Sequence, residues 1–297
     1  MSLPNFLCIG SPKSATTSLF EILKQHPEIG LSSFKEPHFF DTDANWNNGK
    51  DWYEKSYFYA LDSKKSIGEF TPSYLASKIC ASRIKETLVS DVKFIVLLRN
   101  PTDRAYSHYL HTKRDEYEKL SFLDSLDKEE GRLQRCIGNK DNISFSRYCY
   151  RHSGMYALHL KNYLNKFNEK QFCIILFDDF VNKREEVVDR VLTFLDVNLN
   201  VDLNIDIKVN PASKARSTQL KKFMAQKSFF RTLLKFMIPS LGFRQRIRNK
   251  IHERNNKAES KTSLTQAERD FCYHNYFEND INELEKMLNV NLNTWKT

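Results

Sequence analysis

Three short runs in this chain are apolar almost throughout: Asn5 to Gly10 (NFLCIG), Val92 to Leu98 (VKFIVLL) and Phe172 to Phe177 (FCIILF). A strand with one wet face alternates apolar and polar residues, so a continuous apolar run needs cover on both faces. Each run is followed by a segment with helical spacing. Leu19, Ile22 and Leu23 share one face after the first, and Glu185 to Leu195 is amphipathic after the third. Strands buried on both faces and alternating with helices predict a parallel sheet between two helical layers.

Other segments extend the pattern. Lys65 to Glu69 reads as a further strand, and Pro72 opens a stretch expected to be helical through Leu88. Pro101 suits a first helical turn, predicting a helix over Thr102 to Thr112. Gly154 to Phe167 carries Tyr156, Leu160, Tyr163, Leu164 and Phe167 at helical spacing, and a last amphipathic helix falls near Asp280 to Leu288. No repeat and no linker is evident. The expected organisation is one domain over residues 1–297, with an α/β core to about 207 and a mostly helical, basic part over 208–297.

At 297 residues, with 40% apolar and 13% aromatic residues, the chain can fill a sizeable core, which excludes collagen-like and globally disordered classes. No apolar run approaches the roughly 20 residues of a membrane span, and the sequence enters a strand pattern by Asn5 with no secretory leader ahead of it. A cytoplasmic, soluble protein is expected, with peripheral membrane contact or a lost N-terminal anchor as the alternatives. The six cysteines show no CxxC and no metal-ligand spacing, which predicts reduced thiols and no structural metal.

The net charge of +9 is unevenly placed. Residues Lys208 to Lys257 hold 14 basic residues against one acid, Glu253, while the rest of the chain has 32 basic and 36 acidic residues. Such a segment favours a polyanionic partner or an anionic membrane, or is a solvated basic surface.

Two loops carry candidate chemistry. Gly10-Ser11-Pro12-Lys13-Ser14-Ala15-Thr16-Thr17-Ser18 stands between a strand and a helix, where amide groups and a lysine make a phosphate cradle. It is not a Walker A loop, since Ala15 and Thr16 occupy the positions of its second Gly and its Lys. A Ser/Thr-rich helix cap is the plainer alternative. Arg99 ends the strongest strand and Ser107 follows eight residues on, at the edge where open α/β sheets bind ligands. Arg99 offers a fork of donors to a second phosphate, or pairs with a carboxylate such as Asp103; Arg104 is assigned a structural part.

Together these stretches resemble the sulfotransferases that use 3′-phosphoadenylyl sulfate (PAPS). Gly10 to Leu19 resembles their 5′-phosphosulfate loop, and Leu98 to Tyr109 (LRNPTDRAYSHY) their 3′-phosphate motif. Lys35 to Asp41 (KEPHFFD) and Gly68 to Tyr74 (GEFTPSY) are similar to motifs of the heparan-sulfate-type and bacterial glycan sulfotransferases, and the Gly154-Met155-Tyr156 helix also fits. The resemblance covers residues 5–197 in order. It implies a P-loop-like central parallel sheet flanked by helices, and sulfuryl transfer from PAPS to an acceptor hydroxyl with PAP as product.

By the same resemblance, Lys13 stabilises the departing nucleotide while Ser14, Ala15, Thr16, Thr17 and Ser18 hold the 5′-phosphate. Arg99 and Ser107 grip the 3′-phosphate. Glu36 is the general base, His38 is an orienting neighbour or alternative base, and Asp41 supports both. Lys214 and Arg216 are candidates for closing over the nucleotide. The glycan enzymes often have Lys immediately before the Thr-Pro pair, where this chain has Phe70, which places that basic contact elsewhere. No metal is required. The acceptor is expected to be a glycan, glycolipid or small alcohol, with walls at Thr42 to Ala60 and Tyr117 to Ser146; nucleic acid is not expected. The competing functions are a P-loop-type ATP-dependent kinase, disfavoured by the missing Walker lysine, and a non-catalytic basic module binding membrane or nucleic acid through 208–257.

Overall fold

The computed structural model describes residues 3–138, 142–207, 213–215, 256–258 and 263–296. The apolar runs become neighbours in one sheet. Its strands are β1 (Phe6–Gly10), β2 (Ile29–Leu31), β3 (Ser66–Phe70), β4 (Lys93–Leu98) and β5 (Phe172–Leu176). They lie in the order β2-β3-β1-β4-β5, every neighbouring pair parallel. The helices joining them are α1 (Thr16–Leu23), α2 (Asp43–Trp46), α3 (Gly49–Tyr57), α4 (Cys80–Thr87), α5 (Pro101–Arg114), α6 (Phe122–Asp127), α7 (Glu129–Gly138), α8 (Asn142–Tyr148) and α9 (Tyr156–Leu164). After β5 come α10 (Phe177–Asn182) and α11 (Arg184–Phe194).

The two-residue period of a strand divides the apolar runs between two cores. Leu7, Ile9, Phe94, Val96 and Leu98 face a layer containing Tyr53 of α3, Ile84 of α4, Ala105 of α5 and Leu160 of α9. Phe6, Cys8, Ile95 and Leu97 face the opposite layer, built on Leu19 and Leu23 of α1 and Val188 and Val191 of α11. Full burial of each such side chain contributes roughly 1.5–3 kcal/mol. The six cysteines are buried, acting as small apolar side chains.

The sheet order creates a switch point beside β1, where one connection leads toward β2 and β3 and the next strand returns on the other side as β4. Loops leaving the carboxyl ends of β1 and β4 therefore part, and a crevice opens between them. The sequence departs from expectation after β3. Pro72–Tyr74 is a single 3₁₀ turn, and the α-helix begins only at Cys80. The Leu75 amide donates to the Ile9 carbonyl at 2.8 Å, which ties this segment to the end of β1 and prevents the earlier start.

The chain divides into two compact units, Met1–Ile207 with Leu264–Thr297, and Lys208–Ser263. In the first unit, α12 (Gln266–Cys272) and α13 (Glu278–Leu288) pack on the core. Buried Asp280 of α13 accepts the Ala157 and Leu158 amides at 3.0 and 3.1 Å, so a carboxylate from a distant helix caps the start of α9. In the second unit, β6 (Ser213–Ala215) pairs antiparallel with β7 (Asn256–Ala258). The other residues of the basic segment 208–257, Arg216 among them, lie outside the described residues, as does the side chain of Lys214.

Candidate active site

The loop after β1 is held from below. A Cβ at Gly10 would meet Leu75 side-chain atoms at 2.6 Å, which accounts for glycine there. Ser11 Oγ donates to the Leu97 carbonyl at 3.0 Å and lies 2.7 Å from Ser14 Oγ. Tyr156 donates to the Arg99 carbonyl at 2.9 Å, so the β1 and β4 loops share one set of supports. Lys13 and Ala15 have φ of 70° and 64°, and this left-handed backbone curls the loop before α1. Ala15 is the N-cap and has no side chain able to accept, so no side chain caps the first-turn amides of α1. Helix-start amides without a side-chain cap, the Thr16, Thr17 and Ser18 hydroxyls and one lysine fit a phosphate.

Arg99 closes the other side. Its Nη1 donates to the Lys13 carbonyl at 3.1 Å, and its guanidinium lies 4.7 Å from the centre of the Phe177 ring. The carboxylate that could have claimed it, Asp103, pairs with Arg269 at 2.7 Å. Burial, helped by nearby Arg104 and opposed by Asp103 and Tyr156, lowers the Arg99 pKa. Burial likewise lowers the Lys13 ammonium to about 8, with Arg114 adding to the effect and Glu36 opposing it. Lys13 has no ion pair among the described residues, a charge placed without a carboxylate of its own. Ser107 stands in the second turn of α5 after Arg99. Arg104 is fully buried and donates to the Tyr150 carbonyl, a structural part as its sequence position suggested.

The KEPHFFD stretch lies against the end of β3. Glu36 and His38 take left-handed φ values of 64° and 53°. Such non-glycine conformations persist where surrounding bonds enforce them. The Glu36 amide donates to the Phe70 carbonyl at 3.0 Å, the Phe39 and Phe40 amides donate to the Tyr74 hydroxyl at 2.8 and 3.2 Å, and Asn45 donates to the His38 carbonyl at 2.9 Å. The loop is thus fastened to the end of β3, with Glu36 within electrostatic reach of Lys13.

Five polar side chains meet there. Lys35 Nζ donates to Glu36 Oε1 at 2.6 Å, and His38 Nε2 is 3.8 Å from Glu36 Oε2. His38 Nδ1 is 2.9 Å from Asp41, which also accepts from Ser73 at 2.6 Å. With Nδ1 directed at Asp41, Nε2 is left to face Glu36 or a substrate. Partial burial pushes the Glu36 carboxyl up, but Lys35, His38 and Lys13 outweigh it and hold the group below its ordinary range. Burial also opposes charge on His38, and the Asp41 bond reverses that, raising the imidazole. Asp41 is pushed up by burial and brought lower overall by its bonds from His38, Ser73 and Thr42.

Behind this group lies a third carboxyl. Glu69 of β3 is fully buried, and burial pushes it up to about 7 against the opposing influence of Tyr74 and Tyr53. Neither of its oxygens completes a hydrogen bond among the described residues. Sequence reasoning passed over Lys35, Glu69 and Tyr74. The signal for Lys35 was its place beside the proposed base; Glu69 carried none beyond belonging to the GEFTPSY stretch.

The structure thus gathers Lys13, the loop to Ser18, Arg99, Glu36, His38 and Asp41 at one edge of the sheet. Arg216 and the side chain of Lys214 lie outside the described residues. No group of three or more His, Cys, Asp or Glu suited to a metal occurs among the described residues, and no described helix is long and apolar enough to cross a membrane.

Comparison with known proteins places this site in a family. The sulfotransferase domain model matches residues 3–235. The membrane-associated sulfotransferase kil1 of Dictyostelium discoideum is 37% identical over 145 residues, covering 46% of this chain and 30% of that protein. Heparan sulfate glucosamine 3-O-sulfotransferase 5 of Homo sapiens is 28% identical over 195 residues, 66% of this chain and 54% of that protein. The chain therefore spans between about a third and about half the length of these curated relatives. The crystal structure of a sulfotransferase from Alicyclobacillus acidocaldarius matches over all of both chains, with a TM-score of 0.72 and 26% identity. By the reach of the domain match and this agreement in fold, the chain belongs to the sulfotransferase domain family.

Proposed function

We propose that the chain transfers the sulfuryl group of PAPS to a hydroxyl of a glycan or glycolipid. The observation that carries this reading is that the Glu36 carboxylate, bonded to Lys35 and held below its ordinary range, and the Lys13 ammonium feel each other's charge across the loop that precedes α1. PAPS, when bound, supplies the sulfuryl group and its nucleotide leaving group. The chain's own residues then have distinct tasks. The α1 amides with Ser14, Thr16, Thr17 and Ser18 hold the 5′-phosphate, and Arg99 with Ser107 holds the 3′-phosphate. The Lys13 ammonium stabilises negative charge on the departing phosphate oxygen. Glu36 accepts the acceptor hydroxyl proton, and Asp41 fixes His38 so that its Nε2 can orient Glu36 or the acceptor.

Membership of a family with carbohydrate sulfotransferases supports a sugar acceptor. We read residues 1–297 as a single sulfotransferase domain acting in the cytoplasm. Lys214 and Arg216 are proposed as further nucleotide contacts and residues 208–257 as a peripheral membrane contact, a reading supported by the membrane-associated relative.

A screen with sulfur-labelled PAPS across glycans, glycolipids and small alcohols tests the function. Wild-type protein should label at least one acceptor, and Lys13→Ala should abolish the labelling. Transfer of the γ-phosphate of ATP, with no transfer from PAPS, would replace this reading with the kinase one.

A further inference from the structure

Residue 70 is where the glycan sulfotransferases resembled by this chain often carry a lysine, and the structure sends its side chain elsewhere. The Phe70 ring is fully buried on the α1 side of the sheet, edge-on to Phe6 and Phe20 at 6.3 and 5.4 Å between centroids. Alternation along β3 explains this, since residues 68 and 70 share the face toward α1 while Glu69 turns to the other. Only the backbone of residue 70 reaches the site, where its carbonyl accepts the Glu36 amide.

The segment bonded to that carbonyl brings an ammonium of its own. Lys35 has a side chain only 16% exposed, against 44% for Glu36, and its one described partner is Glu36 Oε1 at 2.6 Å. A lysine that gives up most of its hydration for a half-exposed carboxylate gains little from that pair alone. It is well placed, however, for an anion that arrives next to Glu36. Glu36 also feels Lys13, and His38 when that imidazole is protonated, so the proposed base stands among basic side chains, of which Lys13 belongs to the loop after β1.

We propose that Lys35 is the acceptor-side cation of the reacting centre, contacting the sulfuryl oxygens of bound donor where strand position 70 offers none. The proposal rests on the PAPS reading above. It makes Lys13 and Lys35 a pair of ammonium groups that both act on Glu36. It also couples donor binding to the base, because a sulfuryl group that draws Lys35 away relieves Glu36 of the cation bonded to it and raises its basicity.

The test needs no acceptor. Affinities for PAPS and for its desulfated product PAP are measured by calorimetry with wild type, Lys35→Met and Lys35→Arg. Lys35→Met should weaken PAPS by about 10-fold, the worth of one hydrogen bond to a charged group, and leave PAP within about twofold, since PAP lacks the sulfuryl group. Lys35→Arg should keep the wild-type ratio. A PAPS-to-PAP affinity ratio in Lys35→Met equal to that of wild type overturns the proposal. If Lys35→Met fails to fold, Lys35→Gln supplies the same comparison under the same criterion. Wild-type protein that binds neither nucleotide would instead overturn the donor reading beneath it.

Discussion

Glu36 and Glu69 reach the same edge of the sheet on neighbouring segments and meet opposite surroundings. Glu36 is half-exposed, bonded to Lys35 and flanked by His38 and Lys13, and its pKa is held low. Glu69 is fully buried, has no completed hydrogen bond among the described residues, and is raised to about 7. Judged by pKa alone, Glu69 is the better general base, because catalytic bases work best near the operating pH. Judged by access, Glu69 has no route to an acceptor hydroxyl, whereas Glu36 opens toward the donor loop. Geometry decides first. The low pKa of Glu36 describes the protein without nucleotide; on the proposal above, anionic donor groups that engaged Lys13 and Lys35 would raise it.

The largest expected effect separates the two carboxyls directly. Glu36→Gln should lower turnover by roughly 10²- to 10⁴-fold, the usual worth of a positioned base, with PAP affinity retained. Glu69→Gln should retain most of the wild-type turnover, measured as label moved from PAPS to the acceptor found by screening. The reverse order would make Glu69 the base.

A smaller effect concerns stability. The Glu69 pKa in the folded protein lies above the ordinary 4.5, so its protonated form is the one the fold favours. The corresponding stability is fully present below 4.5 and is lost as pH rises through about 7. Over that window the loss is about 3 kcal/mol at 1.36 kcal/mol per unit. Urea unfolding at stepped pH should show the decline in wild type and a shallower one in Glu69→Gln, whose amide stays neutral. Parallel curves would mean that Glu69 is relieved by contacts other than those described.

Smaller still is the pH dependence at Lys13. Its ammonium, lowered to about 8, is charged below that pH and neutral above it. PAP affinity should therefore fall by about 10-fold between pH 7 and pH 9, and Lys13→Met should flatten that dependence. An unchanged slope in the variant would assign the titration to another group.

How much of this was readable beforehand follows from where each signal resides. β1, β4 and β5 were legible because burial on both faces forces unbroken apolar runs. The loop from Gly10 to Ala15 was legible as a strand-to-helix connection because a polar Gly-Ser-Pro-Lys-Ser run separates an apolar strand from residues at helical spacing. β2 was missed, since three residues carry no period. The helix expected from Pro72 was misplaced, because the bond between Leu75 and Ile9 that delays it joins segments far apart in sequence. Phe70 was noticed as a departure, yet its direction became clear only with the parity of β3. Glu69 and Tyr74 looked like ordinary strand and turn residues, and their surroundings are assembled by α3 and the KEPHFFD loop.

The most direct measurement is calorimetric titration of wild type and Arg99→Ala with PAP and with ATP. A sulfotransferase donor site predicts that wild type prefers PAP, and that Arg99→Ala loses the preference because the grip on the 3′-phosphate is gone. Tighter binding of ATP by wild type, or unchanged PAP affinity in Arg99→Ala, would contradict it.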